Sequence, residues 1–280
     1  VVFEISHTTV YSYSRPVFLE PHTVRLRPRA DFALKVIDFE LVIEPSPAGV
    51  THALDLDGNA VAHAWFTGTS DALTIKAVSR TEPSARNPFD FIFLEPAAEK
   101  LPLRYSGATA VAPYLARPRA SAEIDRWAES VAFSAGGETL PFLVALCQAI
   151  RDRSVYMIRE EGDPKAAAET FNSQQGSCRD LAVLFIDACR AQGIPARFVS
   201  GYHESSMYEE KHYMHAWGEV YLPGGGWRGF DPTLGMAVAE AHIPVAAAAD
   251  PKDAAPVSGS FRGNGVTRSL QAHIEISSSA

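Results

Sequence analysis

The stretch Gly176-Ser177-Cys178-Arg179-Asp180-Leu181-Ala182, continued by Leu184, Phe185 and Ala188 and closed by Gly193 and Pro195, decides the fold. Ser177 is a good N-cap, because its hydroxyl can accept from a first-turn amide that has no partner within the helix. Leu181, Leu184, Phe185 and Ala188 recur at the helical period, which predicts a helix with one core-facing stripe. Gly193 and Pro195 stop it. Beyond them the period drops to two, so 196–203, 215–222 and 227–231 read as strands, the last two joined across Pro223-Gly224-Gly225-Gly226. A helix that opens on a cysteine and is followed by adjacent strands predicts an α+β unit.

Upstream, the stripes Ile124, Trp127, Ala128, Val131 and Leu143, Leu146, Cys147, Ile150 predict two more helices. Asp163-Pro164 predicts the start of a short helix over 165–171. The segment 96–119, with Pro102, Gly107, Pro113 and Pro118, is rich in breakers and sets a boundary near 118. Before it the pattern is β throughout. Phe3, Ile5, His7, Thr9, Tyr11 and Tyr13 share one parity, Ile37, Phe39, Leu41 and Ile43 form another run, and Asp57-Gly58-Asn59 joins 50–56 to 60–66 as a hairpin. The expected architecture is an antiparallel β-sandwich-like domain over 1–117 and an α+β domain over 118–280. Near the end, alanine and proline dominate 244–256, which reads as a surface loop, and 266–276 recovers strand-like alternation.

Composition narrows the function. Of 280 residues, 46% are hydrophobic and 21% charged, a globular balance without the apolar run that a membrane-spanning helix needs. The net charge of −8 lacks the basic surplus that nucleic-acid binding draws on. Three cysteines, with no CxxC pair, make neither a disulfide framework nor a zinc site. Reduced thiols and the lack of a basic stretch followed by an apolar run at the start lead to the expectation of a cytoplasmic protein.

The chemistry concentrates at Cys178, His215 and Asp231. A cysteine just after a helix cap sits where free amides and the helix dipole favour a thiolate and can also hold an oxyanion. His215 opens a strand whose period puts Trp217, Glu219 and Tyr221 on its own face and Ala216, Val220 and Leu222 on the core face. Asp231 ends the next strand, and folding the two about the glycine turn brings it within a few residues of register with His215. Together they form the nucleophile, base and orienting carboxylate of a Cys-His-Asp acyl-transfer site. Cys147 and Cys189 lie on apolar stripes and belong to the core. Arg179 and Asp180 either hold the cleft or simply suit the helix start, and Trp217 either walls a substrate channel or packs. His203, His212 and His215 with Asp231 could suggest a metal. Within a strand, however, His212 and His215 would point to opposite faces and no ligand motif supplies the rest, so no metal or cofactor is expected.

Four blocks in one order carry a resemblance: Gly176 to Ala182; Cys189-Arg190-Ala191-Gln192-Gly193-Ile194-Pro195-Ala196-Arg197 with Ser200-Gly201-Tyr202; His215-Ala216-Trp217-Gly218-Glu219-Val220-Tyr221; and Trp227 with Phe230-Asp231-Pro232-Thr233. They resemble the transglutaminase-like core of bacterial proteins. Ser6-His7-Thr8-Thr9-Val10-Tyr11, Val24-Arg25-Leu26-Arg27-Pro28-Arg29 and Asp57-Gly58-Asn59 resemble the β-rich region that precedes it. The resemblance implies a papain-like fold, Cys178, His215 and Asp231 as catalytic triad, and a peptide or protein amide as substrate. The alternative is a silent interaction module on the same fold. Such proteins often carry a Gly-Arg-Asp-Tyr stretch after the aspartate, which Val245-Ala246-Ala247-Ala248-Ala249-Asp250 lacks. Gln174 and Gln175 stand too close to Cys178 for the papain spacing and read as loop residues.

Overall fold

The single parity of the first residues builds the longest strand of the molecule. In the computed structural model, which describes residues 1–84, 87–105, 109–204 and 211–279, β1 (Val2–Leu19) runs antiparallel to β6 (Ser70–Pro83), and β6 to β3 (Leu34–Glu44). Gly107 of the breaker-rich segment lies outside the described residues. The other edge of β1 is taken by strands from the far end of the chain. These are β15 (Phe261–Arg262) and β16 (Arg268–Ser279), the latter placing Ser279 opposite Val2 and Arg268 opposite Tyr13. A second sheet runs β14 (Val257–Ser258), β2 (His22–Val24), β5 (Ala60–Trp65), β4 (Gly49–Leu54). Its β4–β5 hairpin turns at Gly58, whose φ of 76° is open to glycine at no steric cost. The two sheets enclose Val17, Leu19, Leu73, Ile75 and Ala64, the sandwich expected. The expected boundary needs correction: 118–280 is not one unit, since its last strand lies in the first sheet. Alternation in 266–276 shows that a strand forms but not which distant strand it pairs with.

The remainder packs around one helix. After a 3-10 turn (Pro96–Glu99) come α1 (Ala112–Leu115), α2 (Ala122–Ser134), α3 (Thr139–Arg153) and α4 (Ala167–Ser173). Two short strands, β7 (Val155–Tyr156) and β8 (Gln175–Gly176), pair in parallel and lead into α5 (Cys178–Ala191). The sheet behind α5 has the order β12 (Met236–Ala237), β11 (Gly226–Asp231), β10 (His215–Leu222), β9 (Ala196–His203), β13 (His242–Ala248). The stripes Ile124, Ala128 and Leu143, Leu146, Cys147, Ile150 are buried with Leu181, Leu184, Phe185 and Ala188, as their spacing predicts. Helix α4 starts later than expected, because the Lys165 amide donates to Asp180 Oδ1 (2.7 Å) and Ala166 is held extended. Gln175 is part of β8 and Gln174 is the left-handed cap that ends α4, so neither is plain loop.

The segment 244–256 is the clearest departure. Its first part is β13, paired with β9 and buried on both faces: Ala246 and Ala248 join the helical core, while Val245 joins another cluster. A strand with no solvent face shows no alternation, and alanine has little strand preference, so the pattern was silent. Pro244 lacks an amide hydrogen, and the pairing with β9 shifts register between Pro244 and Ala246.

This strand is also the joint between the two units. Ile243 and Val245 pack with Tyr202 against Phe3, Ile5, Leu34 and Ile274 of the first sheet. Two polar contacts flank the cluster. Asn59, fully buried at the hairpin turn, donates from Nδ2 to Ala247 O (2.8 Å) and accepts the Ala247 amide at Oδ1 (2.8 Å). His7 is bonded on one ring nitrogen to the Tyr202 hydroxyl (2.9 Å) and on the other to Thr9 Oγ1 (3.1 Å). Burial lowers the His7 pKa from 6.5 to about 4. The folded state therefore holds His7 neutral, and the stability this gives is present above pH 6.5 and is lost as pH falls toward 4. The loss attributable to His7 is about 3 kcal/mol. Urea unfolding of His7→Gln should show a correspondingly flatter stability slope over that window, and a slope equal to that of the wild type would refute the assignment.

Candidate active site

Cys178 opens α5, and the residues around it fix where the helix begins. Asp180 Oδ2 accepts the Ser177 amide (2.9 Å) and the Ser177 hydroxyl (3.0 Å), and the Ser177 side chain accepts the Asp180 amide in return, a reciprocal cap of the first turn. Its Oδ1 accepts Arg159 Nη2 (2.5 Å) as well as the Lys165 amide. A β-carbon on Gly176 would come within 2.8 Å of Asp180 Cβ, so only glycine lets the carboxylate fold back this closely. Arg179 donates to the carbonyls of Gly162 (2.6 Å) and Arg159. Of the two readings of Arg179 and Asp180, the structure supports the brace: they clamp the 159–165 segment to the start of the helix.

The β10–β11 hairpin supplies the other two side chains. Ala216, Val220 and Leu222 face the core, and Gly218 sits so near Phe185 that a β-carbon would come within 2.6 Å of it. His215 therefore lies on the opposite face. Gly218 pairs with Phe230, so the next residue, Asp231, stands across from Trp217 and diagonal to His215, within reach of a long side chain. His215 Nε2 donates to Asp231 Oδ2 at 2.6 Å, and the Cys178 sulfur hydrogen-bonds the same ring, for which Nδ1 remains. Asp231 also starts a turn, since its Oδ1 accepts the amides of Thr233 (2.9 Å) and Leu234 (3.3 Å). The three residues singled out in the sequence are thus brought together, all buried.

Burial opposes a charge on His215, but the Asp231 carboxylate and the Cys178 sulfur outweigh it and raise the pKa to about 10. Burial likewise opposes the Asp231 charge, and the His215 cation together with the hydrogen bonds from His215 and His242 overcomes it and holds the carboxyl well below its usual range. The sequence gives no signal for His242, because it lies where no alternation marks a strand. Its Nε2 donates to the same Asp231 Oδ2 at 3.1 Å.

The donor atoms of His215, Asp231 and His242 lie within 4.8 Å of one another. Both Nε2 atoms are engaged as proton donors to one oxygen, so the set is held by hydrogen bonds. His212 precedes β10, lines the same cleft as His215 and bonds the Glu204 carbonyl (3.1 Å), which replaces the opposite-face placement expected for it. Trp217 packs on Val199 and Ala247 and does not wall the cleft. Cys147 and Cys189 are fully buried, and burial pushes both thiols up.

Above Cys178 and His215 lies a cleft of about 300 Å3 that both units wall. On one side are cross-strand pairs from one face of the first sheet: His7 with Ile274, Thr9 with Ala272, Tyr11 with Leu270. On the other is the clamped segment at Arg159–Gly162, and Pro256 and Val257 border it beyond β13. A larger cavity of about 760 Å3 opens between the sandwich sheets and contains none of these residues.

Residues 3–82 match the bacterial transglutaminase-like N-terminal region and residues 126–232 the transglutaminase-like superfamily. An uncharacterized protein of Mycobacterium leprae is 25% identical over 273 residues, 94% of each chain. A protein-glutamine gamma-glutamyltransferase of Pseudomonas aeruginosa is 35% identical over 74 residues, which is 24% of this chain and 11% of that protein. The solved structure of a candidate cysteine protease from Cytophaga hutchinsonii has the same fold, with a TM-score of 0.71 at 21% identity over 99% of this chain and 90% of that one. With both regions matched in this order, the chain belongs to the transglutaminase-like superfamily, in the form that carries the bacterial N-terminal region ahead of the core.

Proposed function

We propose that the protein is a thiol enzyme that opens an amide bond through a thioester on Cys178, with His215 and Asp231 completing a catalytic triad. The observation that carries this reading is the convergence of sulfur, imidazole and carboxylate at the floor of a cleft, with His215 Nε2 on Asp231 at 2.6 Å. Cys178 passes its thiol proton to His215 and the sulfur attacks the carbonyl carbon; a carbon–sulfur bond forms and the electron pair of the carbonyl π bond moves to oxygen. Amides at the start of α5, which by helix geometry have no intrahelical acceptor, hold that oxyanion. The carbon–nitrogen bond then breaks as His215 gives its proton to the leaving amine. Water or a primary amine next attacks the thioester, His215 takes the proton, and the carbon–sulfur bond breaks. Asp231 keeps the imidazole oriented and its cation stabilised.

The wall formed by β1 and β16 favours a peptide or protein chain as substrate. Its cleft-facing pairs from Leu270 to Ile274 extend about 14 Å, enough to run alongside an extended segment. The names of the relatives span both acceptors, one a candidate cysteine protease and one a glutamyltransferase.

The test incubates a glutamine-containing peptide library with and without a labelled primary amine. Label retained in product means transfer, and cleavage without label means hydrolysis. A companion experiment follows iodoacetamide labelling of the three cysteines. Cys178 should react fastest, since Cys147 and Cys189 are enclosed and their thiols are pushed up. Equal, slow labelling of all three, with neither reaction in the library, would favour the silent module.

A further inference from the structure

Resting on this triad reading, we infer that His242 is a positioning residue for it: a second imidazole that donates to the Asp231 oxygen used by His215 and so sets the carboxylate's place and its pull on the His215 proton. The geometry is specific. Oδ2 receives His215 Nε2 at 2.6 Å and His242 Nε2 at 3.1 Å, while Oδ1 is occupied by the amides of Thr233 and Leu234. All four bonds converge on a carboxylate with no exposed surface.

A carboxylate oxygen only accepts, so the His242 proton is on Nε2. Its Nδ1 is buried and has no partner among the described residues. A second proton there would be an orphaned buried donor, which is costly, so the neutral Nε2–H tautomer is the form that fits. The rings around it hold that orientation. His203 stands edge-on at 4.6 Å, Trp217 edge-on at 5.3 Å, and the His215 ring lies 6.3 Å away.

The consequence for chemistry follows from sharing. Two donors on one oxygen divide its lone-pair density, so His242 tempers the attraction of Asp231 for the His215 proton. It also prevents the carboxylate from rotating when that proton moves toward the leaving amine. Without His242, the His215–Asp231 bond tightens and the carboxylate loses a restraint.

The experiment compares His242→Leu, which fills space without a donor, with His242→Gln, whose amide nitrogen replaces Nε2. Proton NMR of the full chain, labelled at histidine nitrogen, reads the far-downfield imidazole resonances. The wild type should show one from His215 and one from His242. In His242→Leu the second disappears and the first moves further downfield, and in His242→Gln the first stays near its wild-type position. In the iodoacetamide profile of Cys178, the alkaline limb set by His215 should move up by about one pH unit in the leucine variant and return to its wild-type place in the glutamine variant. Should His242→Leu not fold, His242→Asn, too short to reach Oδ2, takes its place. Equal behaviour of the donor and non-donor variants, or a His215 resonance that does not move, overturns the role of His242 alone. Wild-type Cys178 no more reactive than Cys147 and Cys189 overturns the triad reading and this inference with it.

Discussion

Asp231→Asn is expected to slow turnover by about a thousand- to ten-thousand-fold while the protein stays folded. The side chain is nearly isosteric, and its amide oxygen can still accept from His215 Nε2; the NH2 that replaces Oδ1 then meets the Thr233 and Leu234 amides, so the variant folds with reduced stability. What disappears is charge. Burial is the largest influence on His215 and acts downward, and it is overcome mainly because the ionised carboxylate lies 2.6 Å away. With a neutral amide the balance reverses, and the imidazolium that must protonate the leaving amine is no longer held. The raised pKa keeps His215 protonated below about 10, and the ion pair's contribution is lost as pH rises through that value. In the variant the loss should occur at pH 6.5 or below. The alkaline limb of the Cys178 alkylation profile measures this directly. A limb that stays near 10 in Asp231→Asn would mean that Asp231 is not what raises His215.

Asn59→Ala is the second large effect, this time on stability, at about 3 kcal/mol. Asn59 reads both backbone groups of Ala247, a residue 188 positions away, and its Nδ2 also donates to Asp55 Oδ2 (2.9 Å). Truncation leaves the Ala247 amide and carbonyl buried without partners at the edge of the sheet that carries His242. For a chain of this size the melting temperature should fall by roughly 8 °C. Asn59→Asp should be at least as damaging, since a carboxylate keeps the acceptor for the amide but turns a second acceptor toward the Ala247 carbonyl and Asp55. Calorimetry of both variants is the check, and a loss below about 1 kcal/mol in Asn59→Ala would show that the clamp is incidental.

The legibility of the parts differs for physical reasons. Helix α5 was readable because one side is buried and the other is not, so its period survives in Leu181, Leu184, Phe185 and Ala188, and because Ser177 and Asp180 cap it locally. The placement of Asp231 near His215 was readable because a hairpin ties register to a short turn; with Gly218 opposite Phe230, Asp231 falls opposite Trp217, two residues from His215. Strand β13 was not readable, because enclosure on both faces erases alternation, and His242 went with it. The role of Asp180 was only half visible, since its partners Arg159 and Lys165 lie across a loop.

By itself the sequence determined the local elements and the nucleophile at a capped helix start, because caps, turns and apolar periods act between neighbours along the chain. Only the tertiary structure decided that β16 closes the first sheet beside β1, that the paired faces of these strands wall the cleft over Cys178, and that a second imidazole reaches Asp231. Those contacts join residues far apart along the chain, and they arise from shape and hydrogen-bond complementarity that no local pattern encodes.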